Sequence, residues 1–141
     1  MGTISIAVAN PSGGLSSNIL VEDNAFLTNT LLGSNGVYTS GAIALNGRRL
    51  VGSVWSTKAG AANSFQVQGS DDGTNWEAIP AAAWTTGTAY ITNTTTVSAS
   101  TFYLFDVLLY TGLTRITYTN GSGAMVSGTD TFRLAGYLSP V

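Results

Sequence analysis

Along most of this chain apolar and polar residues alternate one by one, the period of a strand with one buried face. The first run sets Ile4, Ile6 and Val8 on one side and Thr3, Ser5, Ala7 and Ala9 on the other. Asn10-Pro11-Ser12-Gly13-Gly14 stops it, since Pro and Gly break a ladder and favour turns. Between residues 15 and 40 the period is lost. Leu15, Ile19, Leu20, Phe26, Leu27, Leu31 and Leu32 fit either a loose helical stripe or an extended arm, and Gly33-Ser34-Asn35-Gly36 breaks whatever precedes it. Residues 1–40 are therefore expected to form an N-terminal arm, extended or partly helical, ahead of a β-sandwich domain over residues 41–141.

From residue 41 onward the pattern predicts strands separated by turns. Leu50–Thr57 places Leu50, Gly52 and Val54 on one face and Val51, Ser53 and Trp55 on the other. Lys58–Asn63 reads as a Gly/Ala turn, and Ser64–Ser70 alternates Phe65, Val67 and Gly69 against Gln66 and Gln68. Asp71-Asp72-Gly73-Thr74-Asn75 is a strong turn signal, and Trp76–Ile79 resumes a short strand that Pro80 limits. Further strands are expected at Ala89–Thr92, Thr101–Tyr110, Arg115–Thr119 and Thr131–Leu138, with the Thr-rich stretch 92–96 as loop and Asn120-Gly121-Ser122-Gly123 as a turn. Short strands at this spacing with little helix predict an all-β fold, an antiparallel, jelly-roll-like β-sandwich.

Thr101–Tyr110 is the most informative strand. One face carries Tyr103, Phe105, Val107 and Leu109, as a core face should. The other carries Phe102, Leu104, Asp106, Leu108 and Tyr110, too apolar for a sheet face left in water. That second face is expected to be covered, by the arm or a loop or by another subunit.

Composition sharpens this picture. Of 141 residues only 9% are charged, with five Lys or Arg, seven Asp or Glu, and neither His nor Cys, against about 25% charged in an ordinary domain. Without His or Cys there is no Ser-His-Asp or Cys-His catalysis, no zinc site of the usual ligands and no disulfide framework. A net charge of −2 and scattered cations argue against nucleic-acid binding, which rests on clustered Lys and Arg. Mean hydropathy is positive at +0.23, yet no run approaches the ~18 apolar residues of a membrane span. Met1-Gly2-Thr3-Ile4 has no basic region leading into an apolar run, so no secretory signal is expected there. Low charge fits a neutral solvent surface or a surface covered by other subunits, where an unpaired ion is costly to desolvate.

Little of the sequence offers chemistry. Asp71–Glu77 is the one acidic cluster, but it departs from the EF-hand pattern, and a hairpin turn explains the same residues. Glu22, Asp23 and Asp130 suggest no paired carboxylates across a cleft, and no cofactor is expected. Arg48-Arg49 is the only cationic pair. Among the three tryptophans, Trp55 and Trp84 are candidates for stacking on a sugar ring, whereas Trp76 is expected to pack against its hairpin.

Two stretches carry a resemblance. Leu50-Val51-Gly52-Ser53-Val54-Trp55-Ser56 leads into Phe65-Gln66-Val67-Gln68-Gly69-Ser70-Asp71-Asp72-Gly73-Thr74-Asn75-Trp76, and Arg115-Ile116-Thr117-Tyr118-Thr119-Asn120-Gly121 leads into Thr131-Phe132-Arg133-Leu134. Their order resembles small virion proteins of tailed bacteriophages over roughly residues 48–138; the Ser-Asp-Asp-Gly-Thr-Asn-Trp hairpin also resembles discoidin-like sugar-binding sandwiches. The phage resemblance implies a non-enzymatic capsid decoration (cement) protein on the capsid exterior, a homotrimer whose partners are its own copies and the major capsid protein, with no nucleic acid and no membrane. On that expectation Ile4, Ile6 and Val8 of the arm, which an extended segment would offer to a neighbour's sheet edge, and Phe102, Leu104 and Leu108 are the candidate capsid or subunit contacts. The alternative is a carbohydrate-binding module, or a tail or fibre component contacting the host surface, using Trp55 or Trp84.

Overall fold

Strand β4 (Arg49–Ser56) shows how the alternation becomes architecture: Leu50, Val54 and Ser56 are buried, and Val51, Ser53 and Trp55 alternate onto the other side of the sheet. In the computed structural model, residues 23–78, 90–91, 94–107 and 112–139 are described. They form β1 (Asp23–Thr28), β2 (Val37–Thr39), β3 (Ile43–Ala44), β4, β5 (Gly60–Ser70), β6 (Glu77–Ala78), β7 (Tyr90–Ile91), β8 (Thr94–Thr95), β9 (Thr101–Val107), β10 (Leu113–Asn120) and β11 (Phe132–Ser139). Among the described residues there is no helix.

Two sheets face each other. The first runs β1-β11-β4-β9-β7; the second runs β2-β10-β5-β6, with β3 also on β10 and β8 also on β5. Pairing is antiparallel except between β7 and β9. Leu50, Val54, Phe105, Phe132 and Leu134 from the first sheet meet Phe65, Val67, Ile116 and Tyr118 from the second, all nearly or fully buried. This is the antiparallel β-sandwich that the alternation predicts.

Three expectations change. Residues 1–22 of the predicted arm lie outside the described residues, but residues 23–40 are built into both sheets: β1 pairs with β11, and β2 with β10. The irregular apolar spacing there reflects a bulge between Asn24 and Phe26 and a passage from one sheet to the other. The turn predicted over Lys58–Asn63 shrinks, because β5 already pairs at Gly60 with Asn120. Two steps along β10, from Tyr118 to Asn120, match five along β5, from Phe65 to Gly60, so the Gly/Ala stretch is a bulge, with Asn63 at φ 54°. The Thr-rich stretch predicted as loop contains β8, whose Thr94 and Thr95 pair with Gln66 and Phe65.

Candidate functional site

The outward faces of the two sheets differ in kind. On the second sheet, Thr39, Thr117, Gln66 and Thr94 stand in one cross-strand row. Beside them Arg115 Nε donates to Gln68 Oε1 at 2.7 Å, and Gln68 Nε2 donates to Gln66 Oε1 at 3.0 Å. That face is mostly polar and hydrogen-bonded to itself, as a wetted sheet should be, with Arg115 its cation and Val37 exposed at its β2 edge.

The first sheet carries apolar side chains outward. The β4–β9 register opposes Trp55 to Phe102, Ser53 to Leu104 and Val51 to Asp106, while the β4–β11 register opposes Val51 to Tyr137. Val51, Ser53, Phe102, Leu104, Asp106 and Tyr137 line an open groove of about 320 Å³. Phe102 is 51% and Leu104 43% exposed, and Leu27 on edge strand β1 is more exposed still. Exposure along this face is uneven, since Ala135, between Leu27 and Ser53 in one cross-strand row, is fully buried.

Charge flanks the groove at both ends: an ion pair at one, and exposed Arg133, opposite Trp55, at the other. Arg49 Nε donates to Asp106 Oδ1 at 3.1 Å, and Arg49 Nη2 donates to Asp106 Oδ2, tying β4 to β9. These two ions offset each other, which leaves Arg133 as the cation beside the Trp55–Phe102 row. Ring and methyl surface, with hydroxyls at Ser53 and Tyr137, suits contact with another apolar surface.

The sequence-predicted sites fall unevenly. Phe102 and Leu104 lie two residues apart on this face, Leu104 opposite Ser53 and Phe102 toward one end. Trp55 stands at its far end beside Phe102, half-buried in its cross-strand row. Ile4, Ile6, Val8, Trp84 and Leu108 lie outside the described residues. Val51 and Tyr137 were not singled out, because only the register brings β11 and β9 alongside β4. The one sequence signal was that both alternating sets of β4, Leu50/Val54 and Val51/Trp55, are apolar.

The acidic turn is occupied by its own chain. Asp72 Oδ1 accepts the backbone N–H of Thr74 and of Asn75, each at 2.8 Å, and the Ser70 hydroxyl at 3.0 Å; its Oδ2 accepts Asn75 Nδ2 at 2.7 Å. These bonds, led by the Asn75 backbone N–H, hold the Asp72 carboxyl far below the ordinary carboxylate range. Gly73 at φ +76° takes the left-handed position of the turn. Trp76 folds back over it, its Nε1 donating to Gly73 O at 3.3 Å, and the Arg115 guanidinium lies 4.3 Å from the ring centre. A carboxylate so engaged caps a turn, and the cluster reads as structure. No protein-family model, curated protein or solved structure significantly matches this chain.

Proposed function

We propose that this chain is a non-enzymatic virion structural protein, a jelly-roll-like capsid decoration subunit that assembles as a homotrimer on the outside of a phage head. The observation that carries the reading is the contrast between the sandwich's two outward faces. One is a self-bonded polar surface of Thr, Gln and Arg115, and the other is an apolar groove that includes Phe102 and Leu104. A subunit that reinforces a shell needs contact area and no chemistry. Contiguous exposed apolar side chains mark such interaction surfaces, and the pairing of Arg49 with Asp106 lowers the desolvation cost of burying that end of the groove.

Mixing the purified protein with expanded heads that lack it, and sedimenting the heads, tests this reading. The wild-type chain is expected to co-sediment and to run as a trimer by light scattering, while a folded Phe102→Ser/Leu104→Ser variant loses one or both properties. A wild-type chain that stays monomeric and leaves the heads bare sinks the proposal. Should a glycan array give a signal that Trp55→Ala abolishes, the sugar-binding alternative takes its place.

A further inference from the structure

The apolar face of the first sheet raises the question of what lies on it, and the chain carries a segment of matching form. Residues 3–9 alternate Ile4, Ile6 and Val8 against Thr3, Ser5, Ala7 and Ala9. Extended, those seven residues span about 23 Å, the length of a seven-residue strand such as β9, and their apolar side chains recur at the same two-residue interval as Phe102 and Leu104. We propose that the groove receives residues 3–9 of a second copy of this chain, with Ile4, Ile6 and Val8 set against Val51, Phe102, Leu104 and Tyr137. The assignment rests on the reading of this face as a subunit contact and names its occupant.

Where the described chain begins favours a second copy over the same one. Asp23 pairs with Leu138, Leu138 with Leu50, and Leu50 with Val107, so β1 enters at the Arg49–Asp106 end of the sheet. From there β1 runs toward the Trp55–Phe102 end, Thr28 lying opposite Leu134. A chain continued back from Asp23 along the line of β1 would leave the sheet at that end, whereas covering its own groove would need a reversal within residues 10–22. Residues 10–22 supply thirteen positions, a reach of up to about 43 Å. That is about the width of one sandwich, since a chain this long has a radius of gyration of roughly 14 Å. The spacer therefore suffices to hand residues 3–9 to a neighbour. Repeated around a ring, the exchange is head-to-tail and closes with every groove filled and every arm used. Apolar contact and extended backbone supply the attraction without charge, in keeping with five cations in the whole chain.

The absence of cysteine makes a clean test. Ile6→Cys and Leu104→Cys proteins, carrying tags of different mass, are mixed, allowed to reassemble and mildly oxidised. Exchange predicts a covalent heterodimer at about tenfold the yield of Ile6→Cys mixed with Thr39→Cys, which sits on the opposite sheet, because docking raises the local thiol concentration. The Ile6→Cys/Leu104→Cys double variant should form covalent oligomers. A double variant that cross-links only as a faster-running monomer shows that the arm covers its own copy and overturns the proposal, as does a yield equal to the Thr39→Cys control. Head sedimentation, scored separately on the wild-type chain, keeps the two readings apart: binding without cross-linking removes the exchange and leaves the decoration reading standing.

Discussion

Phe26 and Phe105 stack inside the sandwich with ring planes within 2° and centroids 6.5 Å apart, although their strands lie at opposite sides of β11 and β4. Three strand spacings, about 14 Å, separate their backbones. The rings meet because the two residues between them in the same cross-strand row are Gly136 and Gly52, which oppose each other directly. Two side-chain vacancies in the middle of the sheet are filled from its flanks. A Cβ on Gly136 would lie 2.5 Å from the Phe26 ring, and one on Gly52 would run into the Phe105 ring and the Ala135 carbonyl.

Gly136→Ala is therefore expected to destabilise the fold by about 1–3 kcal/mol, the usual cost of overpacking a filled core. Phe26→Ala should cost somewhat less than the ~3–5 kcal/mol typical of a fully buried Phe, because Phe26 is half-buried. Combined, the two changes should cost clearly less than the sum, since the alanine methyl then enters space the ring has left. Urea midpoints of the four proteins check this; strict additivity would show that the ring and the glycine do not interact.

That row explains what could and could not be read from the chain. Alternation located β4, β9, β10 and β11, set Leu50 and Val54 on one face of β4, and identified Phe105 and Val107 as inward, because each depends only on a local period of two. It said nothing about register. Gly52 and Gly136, eighty-four positions apart, each fall within a predicted strand, but only pairing places them side by side. Phe26 was lost for the same reason: its partners are distant, and a bulge one residue before it breaks the local alternation. The outward face was half legible. Phe102 and Leu104 stand out as apolar on the wrong side of a strand, whereas Val51 and Tyr137 join them only through the ladders.

Replacing Phe102 and Leu104 by Ser should separate stability from assembly. Both side chains are substantially exposed in the single copy, so monomer unfolding should shift by no more than about 0.5 kcal/mol per site. Association should fall by a much larger factor. Denaturant unfolding at low concentration and light scattering at high concentration measure the two effects. A large loss of monomer stability would mean that these side chains are already packed within the copy.

Stability should fall in acid through two carboxylates. Asp72 is held low by the bonds within its turn, and Asp130 by the Val126 N–H, with help from the Thr57 hydroxyl and nearby Lys58. A depressed folded-state pKa means that the stabilisation is full above the unfolded value, about 3.9. It is lost as pH falls from there through the lower folded values. Asp72→Asn and Asp130→Asn should each flatten the acid limb of a stability–pH curve below about pH 4. An acid limb unchanged in both variants would remove these residues as its source.

In alkali the sign reverses, and Tyr118 is the group to follow. It is fully buried, its ring 4.9 Å from that of Phe132. Burial pushes its phenol above the ordinary value, with the Ser56 hydroxyl offsetting part of the shift. The fold thus favours the neutral form. That preference contributes fully below the unfolded pKa, about 10, and is lost as pH rises through the higher folded value. Tyr118→Phe keeps the ring contact and removes the ionisable group. Its hydroxyl has no hydrogen-bond partner of normal geometry in the core, so near pH 7 the variant should match or slightly exceed the wild type. Above pH 10 it should lose stability less steeply. Ultraviolet titration of tyrosinate, run beside urea unfolding from pH 8 to 11, reads both effects. Identical alkaline limbs would show that unfolding in base starts at another residue.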